Sequence, residues 1–292
     1  MDKRIWSIIT QVIVAVNRSL RHTGRKPTFS DVLILRMYFW TVWHDRPLSW
    51  AHDRTHYGGL FRPRQIPSRS QFARRMKTPR VNDMLAQVNR RLAQGLPGGS
   101  LMFLDGKPLA VSESTGDPEA KTGRGNGRFS RGYKMHALGS ESGAIAAFSV
   151  RPLNEHEVPV ARKDLLEHVP AGVLLLADGN YDSSELYDEV HQRGAWLLTP
   201  LKGQRAQSKR VLAKMSDARR EIHAMWGRRK QRCWDIYRQR GAIERIFSAL
   251  TCFGGGLDPL PSWVRRLDRV TRWVTAKLAI YHPKLHLRRA IA

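Results

Sequence analysis

Apolar residues recur at helical spacing through the first hundred positions. Ile5, Ile8, Ile9, Val12 and Val16 fall on one stripe and predict an amphipathic opening helix. Ser30 is placed to cap a second helix, DVLILRMYFWTVWHD, in which Leu33, Met37, Trp40 and His44 share a face. Ser68 and Gln71 offer a capping box for a third, with Arg69, Arg74, Arg75 and Lys77 at exposed positions, and VNDMLAQVNRRLAQ predicts a fourth that ends at Gly95. This pair has the dimensions of a helix-turn-helix, and a plain bundle with a solvated basic face fits equally well. LPGG at 96–99 is the expected boundary, leaving residues 1–98 as a helical, DNA-binding domain and 99–292 as a second domain.

From residue 100 the pattern changes. LMFLDG and GVLLLADGNYD are continuous apolar runs bounded by Gly, the signature of strands buried on both faces. Segments 133–138 and 144–150 predict a hairpin turned at Glu141-Ser142-Gly143, 157–168 and 183–193 predict helices, and 172–177 and 195–199 predict strands. The order is β-β-β-α-β-α-β, followed by a helix over 237–251 and an amphipathic closing helix carrying Trp263, Leu267, Val270, Val274 and Leu278.

Each of the two apolar runs ends on an aspartate, Asp105 and Asp178. Singly, each Asp-Gly reads as a turn. Burying an Asp at a strand end is costly unless something cationic meets it. On the 237–251 helix, Tyr237, Arg240, Glu244 and Thr251 fall on one face beside the apolar stripe of Ile243, Ile246, Phe247 and Leu250. Two strand-end Asp and a helical Glu would together suit hard divalent cations.

Charge sharpens this picture. Lys and Arg number 50 against 25 Asp and Glu, a net charge of +25 that calls for a polyanionic partner or membrane surface. Residues 1–100 carry 18 basic and 5 acidic side chains, residues 101–200 carry 10 and 14, and residues 201–292 carry 22 and 6. Basic flanks around an acidic centre suit phosphate neutralisation beside cation binding. Residues 202–232 alone hold 11 basic side chains, a phosphate-gripping arm or a solvated run, whose Trp226, with nearby Trp234, either tacks it down or stacks on bases. Two cysteines, Cys233 and Cys252, form no framework and suit a reducing compartment. No run reaches the roughly 18 apolar residues of a membrane span, so a soluble, cytoplasmic protein is expected.

The ordered motifs FLDGKPL, FSRGYKMHAL, LLADGNYDSSELY and YRQRGAIERIFSAL resemble those of the DDE transposases of bacterial insertion sequences. Tyr237, Arg240 and Glu244 keep that family's Tyr-x2-Arg-x3-Glu spacing. The resemblance implies an α/β, ribonuclease H-like fold, a mixed five-stranded sheet flanked by helices and preceded by an all-α domain. It implies Asp105, Asp178 and Glu244 as catalytic residues holding two Mg²⁺ (or Mn²⁺) ions, with cleavage at transposon ends and 3′-hydroxyl strand transfer into target DNA. Tyr237, Arg240, Lys134, Lys202, Arg228 and Arg229 are the expected DNA contacts. Partners are terminal inverted repeats and target DNA, bound by a homodimer associated with a bacterial nucleoid. His136 and His156 read as structural. One position departs, since Thr251 stands where the family signature has Lys. A catalytically inactive DNA-binding relative, or a nuclease without strand transfer, therefore stays open as an alternative.

Overall fold

The computed structural model describes residues 2–20, 27–96, 98–125, 127–200, 213–252 and 256–290. They form two compact units, residues 1–96 with 250–292, and residues 97–249.

The first unit is helical: α1 (Lys3–Ser19), α2 (Asp31–Trp43), α3 (Arg69–Met76), α4 (Pro79–Gln94) and the closing helix Leu267–Arg289. Its caps are those the polar residues predict. Ser30 Oγ accepts from the Leu33 amide at 3.2 Å. Ser68 and Gln71 close a reciprocal box, satisfying amides that a helix start leaves without partners. The closing helix was expected with the sheet, but it packs on α1, α2 and α4. Its apolar residues Val270, Trp273, Val274, Ala276, Leu278, Ala279 and Ile280 are almost wholly buried there, more surface than one amphipathic stripe would hide.

The second unit is a mixed sheet of β1 (Leu101–Ala110), β2 (Lys121–Gly125), β3 (Arg128–Ser140), β4 (Ile145–Pro152), β5 (Leu174–Ala177) and β6 (Trp196–Leu198). The strand order is β2-β3-β1-β5-β6, and β4 also pairs with β3. β2 and β4 occupy successive stretches of β3, at 128–132 and 133–139. Helical segments α5 (Glu157–Val160), running on as a wider turn through Leu165, and α6 (Ser184–Gln192) connect strands, and α7 (Asp217–Arg228), α8 (Lys230–Tyr237) and α9 (Gly241–Cys252) follow β6.

Three features differ from the sequence reading. β1 does not stop at Asp105, because β3 pairs with it as far as Ala110. β2 adds a sixth strand in a Gly-rich stretch without apolar alternation, where close backbone contact stands in for side-chain packing. A Cβ at Gly123 would come within 2.5 Å of the Leu153 carbonyl oxygen. The helix over 237–251 is broken by a tight turn at Arg238–Arg240, so Tyr237 ends α8 and Glu244 lies in the first turn of α9.

Candidate active site

Strand register brings the two aspartates side by side. β1 and β5 run parallel with Leu104 opposite Ala177, and the next residue on each strand is Asp105 and Asp178. Pairing between these strands ends there, which opens a notch at the carboxyl end of β5. Asp105 Oδ1 accepts from the Gly106 amide at 2.8 Å. Asp178 caps the tight turn Gly179–Tyr181, with Oδ1 accepting from the Asn180 amide at 2.8 Å and Oδ2 from Asn180 Nδ2 at 3.3 Å. Both carboxylates are thus oriented by local backbone.

Glu244 arrives on α9. Ile243 and Ile246 of this helix sit over Gly139 of β3, where an added Cβ would meet Ile243 Cδ1 at 2.6 Å, so glycine leaves room for both side chains. Arg240 joins the parts: Nη1 donates to Asp105 Oδ2 at 2.9 Å and Nη2 to Glu244 Oε1 at 2.7 Å. Its guanidinium carbon lies 5.9 Å from the Tyr237 ring centre.

The electrostatics record the convergence. Burial pushes the Asp105 carboxyl up to about 6; the Gly106 amide and Arg240 pull it down, and the Asp178 and Glu244 charges push it up. Asp105 therefore feels both other carboxylates. The Tyr181 side chain is fully buried beside them, its hydroxyl without a hydrogen-bond partner among the described residues, and burial raises it well above its ordinary value.

Oxygen ligands of this kind fit a hard divalent cation, and mutual repulsion among three carboxylates is relieved by one. Arg240 is the counter-charge in this structure. Among the described residues no set of three or more His, Cys, Asp or Glu side chains is poised to hold a metal ion. Glu244 is 62% exposed at its side chain, so a rotamer change is open to it.

The remaining expected residues divide. Tyr237 is half-buried and, with Trp234, Arg238, Arg240, Gly241 and Glu244, lines a hollow of about 510 Å³. Lys134 lies on the opposite face of β3 from Asp105's partner Ala137, is 7% exposed, and donates from Nζ to Glu157 at 2.5 Å. In this structure strand alternation turns it inward, where Glu157 is its partner in an ion pair. Arg228 and Arg229 border a separate hollow of about 550 Å³ under Leu174, Trp196 and Leu198. Lys202 lies outside the described residues. His136 is buried, yet neither ring nitrogen has a partner among the described residues, and burial followed by the Lys134 charge pushes it down to about 4.

Sequence reasoning missed a network behind Asp178. Asp182 is completely buried at its side chain and accepts from Arg219 of α7 through Nε and Nη2, both at 2.8 Å, with His223 Nε2 3.9 Å away. The signal was the second Asp of DGNYDSS, four residues after Asp178. Trp226 Nε1 donates to the Thr199 carbonyl at 2.8 Å and Trp226 packs edge-on against Trp234, so Trp226 tacks α7 to the sheet.

With this geometry in view, residues 96–281 match the family described as transposase DDE domain. The chain is also similar in structure to piggyBac transposase in its cryo-EM synaptic complex with hairpin DNA. The TM-score is 0.52 at 11% identity, covering 96% of this chain and 71% of that one, a likeness of fold. No curated protein sequence matches significantly.

Proposed function

Since the chain belongs to the transposase DDE domain family, a family of DNA-cutting and DNA-joining enzymes, we propose that it cleaves DNA at the ends of a mobile element and joins the freed 3′-hydroxyl to target DNA. The observation that carries this reading is the bridge Asp105–Arg240–Glu244, with Asp178 next to Asp105 in the parallel register.

Asp105, Asp178 and Glu244 would hold the divalent ions, which when bound supply charge neutralisation and activation for phosphodiester displacement. The chain's own groups prepare the place. The Gly106 amide and the Asn180 amide fix two carboxylates on rigid backbone, and α9 presents the third. Arg240 neutralises two of them and faces a scissile phosphate once they are engaged. Tyr237 and the surrounding hollow border the DNA end.

The same site serves both reaction halves. Water opens the phosphodiester and leaves a 3′-hydroxyl, and that hydroxyl takes the place of water in the attack on target DNA. Two DNA ends require two such centres, so a homodimer on DNA belongs to the reading. So does residence with the bacterial nucleoid. Among the described residues no helix is long and apolar enough to cross a membrane.

Thr251, two turns beyond Glu244 on α9, supports a second reading in which the chain binds DNA ends without cutting. One assay separates them. Protein is incubated with DNA carrying the inverted repeats that flank its gene, with Mn²⁺, alongside Asp178→Asn and Glu244→Gln. Divalent-dependent cleavage and joining, abolished in both variants, is expected. Cleavage that survives either substitution rejects the assigned site, and binding without any cleavage selects the second reading.

A further inference from the structure

α2 carries an arginine in unusual surroundings. Arg36 lies between buried Leu35 and Met37, with its guanidinium carbon 4.6 Å from the Phe61 ring centre and 5.7 Å from that of Trp6. Those rings hold the cation by its flat face and fix its direction. Its Nε is buried without a hydrogen-bond partner, and no carboxylate pairs with it among the described residues. Leaving such a donor unmatched is costly.

The neighbouring segment Phe61-Arg62-Pro63-Arg64 alternates as extended chain does. Phe61 and Pro63 turn inward and Arg62 and Arg64 outward. Arg54 Nη2 donates to the Arg64 carbonyl at 3.3 Å, bringing a fourth guanidinium to the same place. Arg36, Arg62 and Arg64, with Leu33, Phe61 and Pro63, line a hollow of about 480 Å³, and no Asp or Glu contributes to its lining. Other arginines of this unit are differently placed: Arg75 and Arg80 both pair with buried Asp31, and Arg272 pairs with Asp268. Like charges gathered without acids repel, and an anion relieves the repulsion.

We propose that Arg36, Arg62 and Arg64 form a phosphate-binding site for the backbone of double-stranded DNA, separate from the carboxylate centre. Guanidinium forks match phosphate oxygens in pairs, and aromatic stacking leaves Arg36 little freedom to lose on binding. Arg62 and Arg64 are exposed at the hollow, which suits a strand passing over it better than an enclosed small anion. The inference rests on the DNA-processing reading for its choice of polyanion, and stands apart from catalysis.

The test measures binding of a mixed-sequence 30-base-pair duplex to the full chain by fluorescence anisotropy, across a salt series. Each phosphate contact removed lowers the slope of log affinity against log salt by about 0.9. Arg36→Gln is expected to lower it by about 1 and the pair Arg62→Gln/Arg64→Gln by about 2, with affinity falling several-fold. Arg90→Gln, an equal change of charge on α4, is expected to keep the wild-type slope. Thermal melts check folding; should Arg36→Gln unfold, the loop pair alone decides. Unchanged slopes in the loop pair, or an equal drop in Arg90→Gln, overturn the proposal. If the slopes fall as expected while terminal repeats are never cut, the catalytic reading fails and this site stands. If cutting persists with slopes unchanged, this site alone fails.

Discussion

Arg240 Nη1 stands 2.9 Å from Asp105 Oδ2, although 135 positions separate the two residues. Arg240 is one of two groups that draw the Asp105 carboxyl down, against burial and two neighbouring carboxylates. Arg240→Gln therefore moves Asp105 above about 6. The acidic limb of Mn²⁺-dependent cleavage should shift to higher pH, with a rate loss on the order of 10²-fold at neutral pH. Arg240→Lys should restore part of both. A pH–rate profile checks this, and an unshifted limb in Arg240→Gln removes Arg240 from its assigned place.

Asp105 itself trades stability for function. Its pKa rises from 3.8 to about 6 on folding. Between those values the native chain keeps a proton that the unfolded chain has released, so stability falls as pH rises through that window. Above it the charged form costs up to about 3 kcal/mol, at about 1.36 kcal/mol per unit. Asp105→Asn removes the cost and loses part of the Arg240 pairing, for an expected net gain of about 1–2 kcal/mol at pH 8 that disappears below pH 4. Urea unfolding at the two pH values decides; an Asn variant less stable at pH 8 contradicts the account.

Behind Asp178, the Asp182–Arg219 pair is buried. Burial opposes its charge, but the two Arg219 hydrogen bonds, with the His223 ring nearby, hold the Asp182 carboxyl below its ordinary range. Its contribution is present above the unfolded value near 3.8 and is lost as pH falls through the lower folded value. Asp182→Asn leaves Arg219 without its counter-charge and should cost about 3–5 kcal/mol. The double change Asp182→Leu/Arg219→Leu should recover most of that. Denaturant midpoints of the three proteins provide the comparison, and a double variant no better than the single would show that charge pairing is not what α7 depends on.

Thr251 offers a gain-of-function test. Thr251→Lys restores the cation of the resembled signature on the same helix as Glu244. Strand transfer of a pre-cut terminal repeat is expected to rise about ten-fold, equivalent to about 1.4 kcal/mol of added phosphate contact. No increase, with binding intact, argues that this chain never relied on a cation there.

Much was legible in the residues alone because it is local. Helical periodicity marked α1 to α4, and Ser30 and Ser68 marked where two of them start. Continuous apolar runs marked β1 and β5 and the aspartate that follows each run, and a spacing of four already set Arg240 within reach of Glu244. Tertiary structure alone decided the rest. Leu104 opposite Ala177 is a choice of register between distant strands, and only that choice sets Asp105 beside Asp178. Lys134 looked available until packing turned it onto Glu157, and β2 exists because β3 offered a backbone ladder to a stretch with no apolar pattern. Side-chain periodicity reports which face of an element is buried; which partner buries it depends on backbone hydrogen bonds and space between residues far apart in the chain, which no local pattern carries.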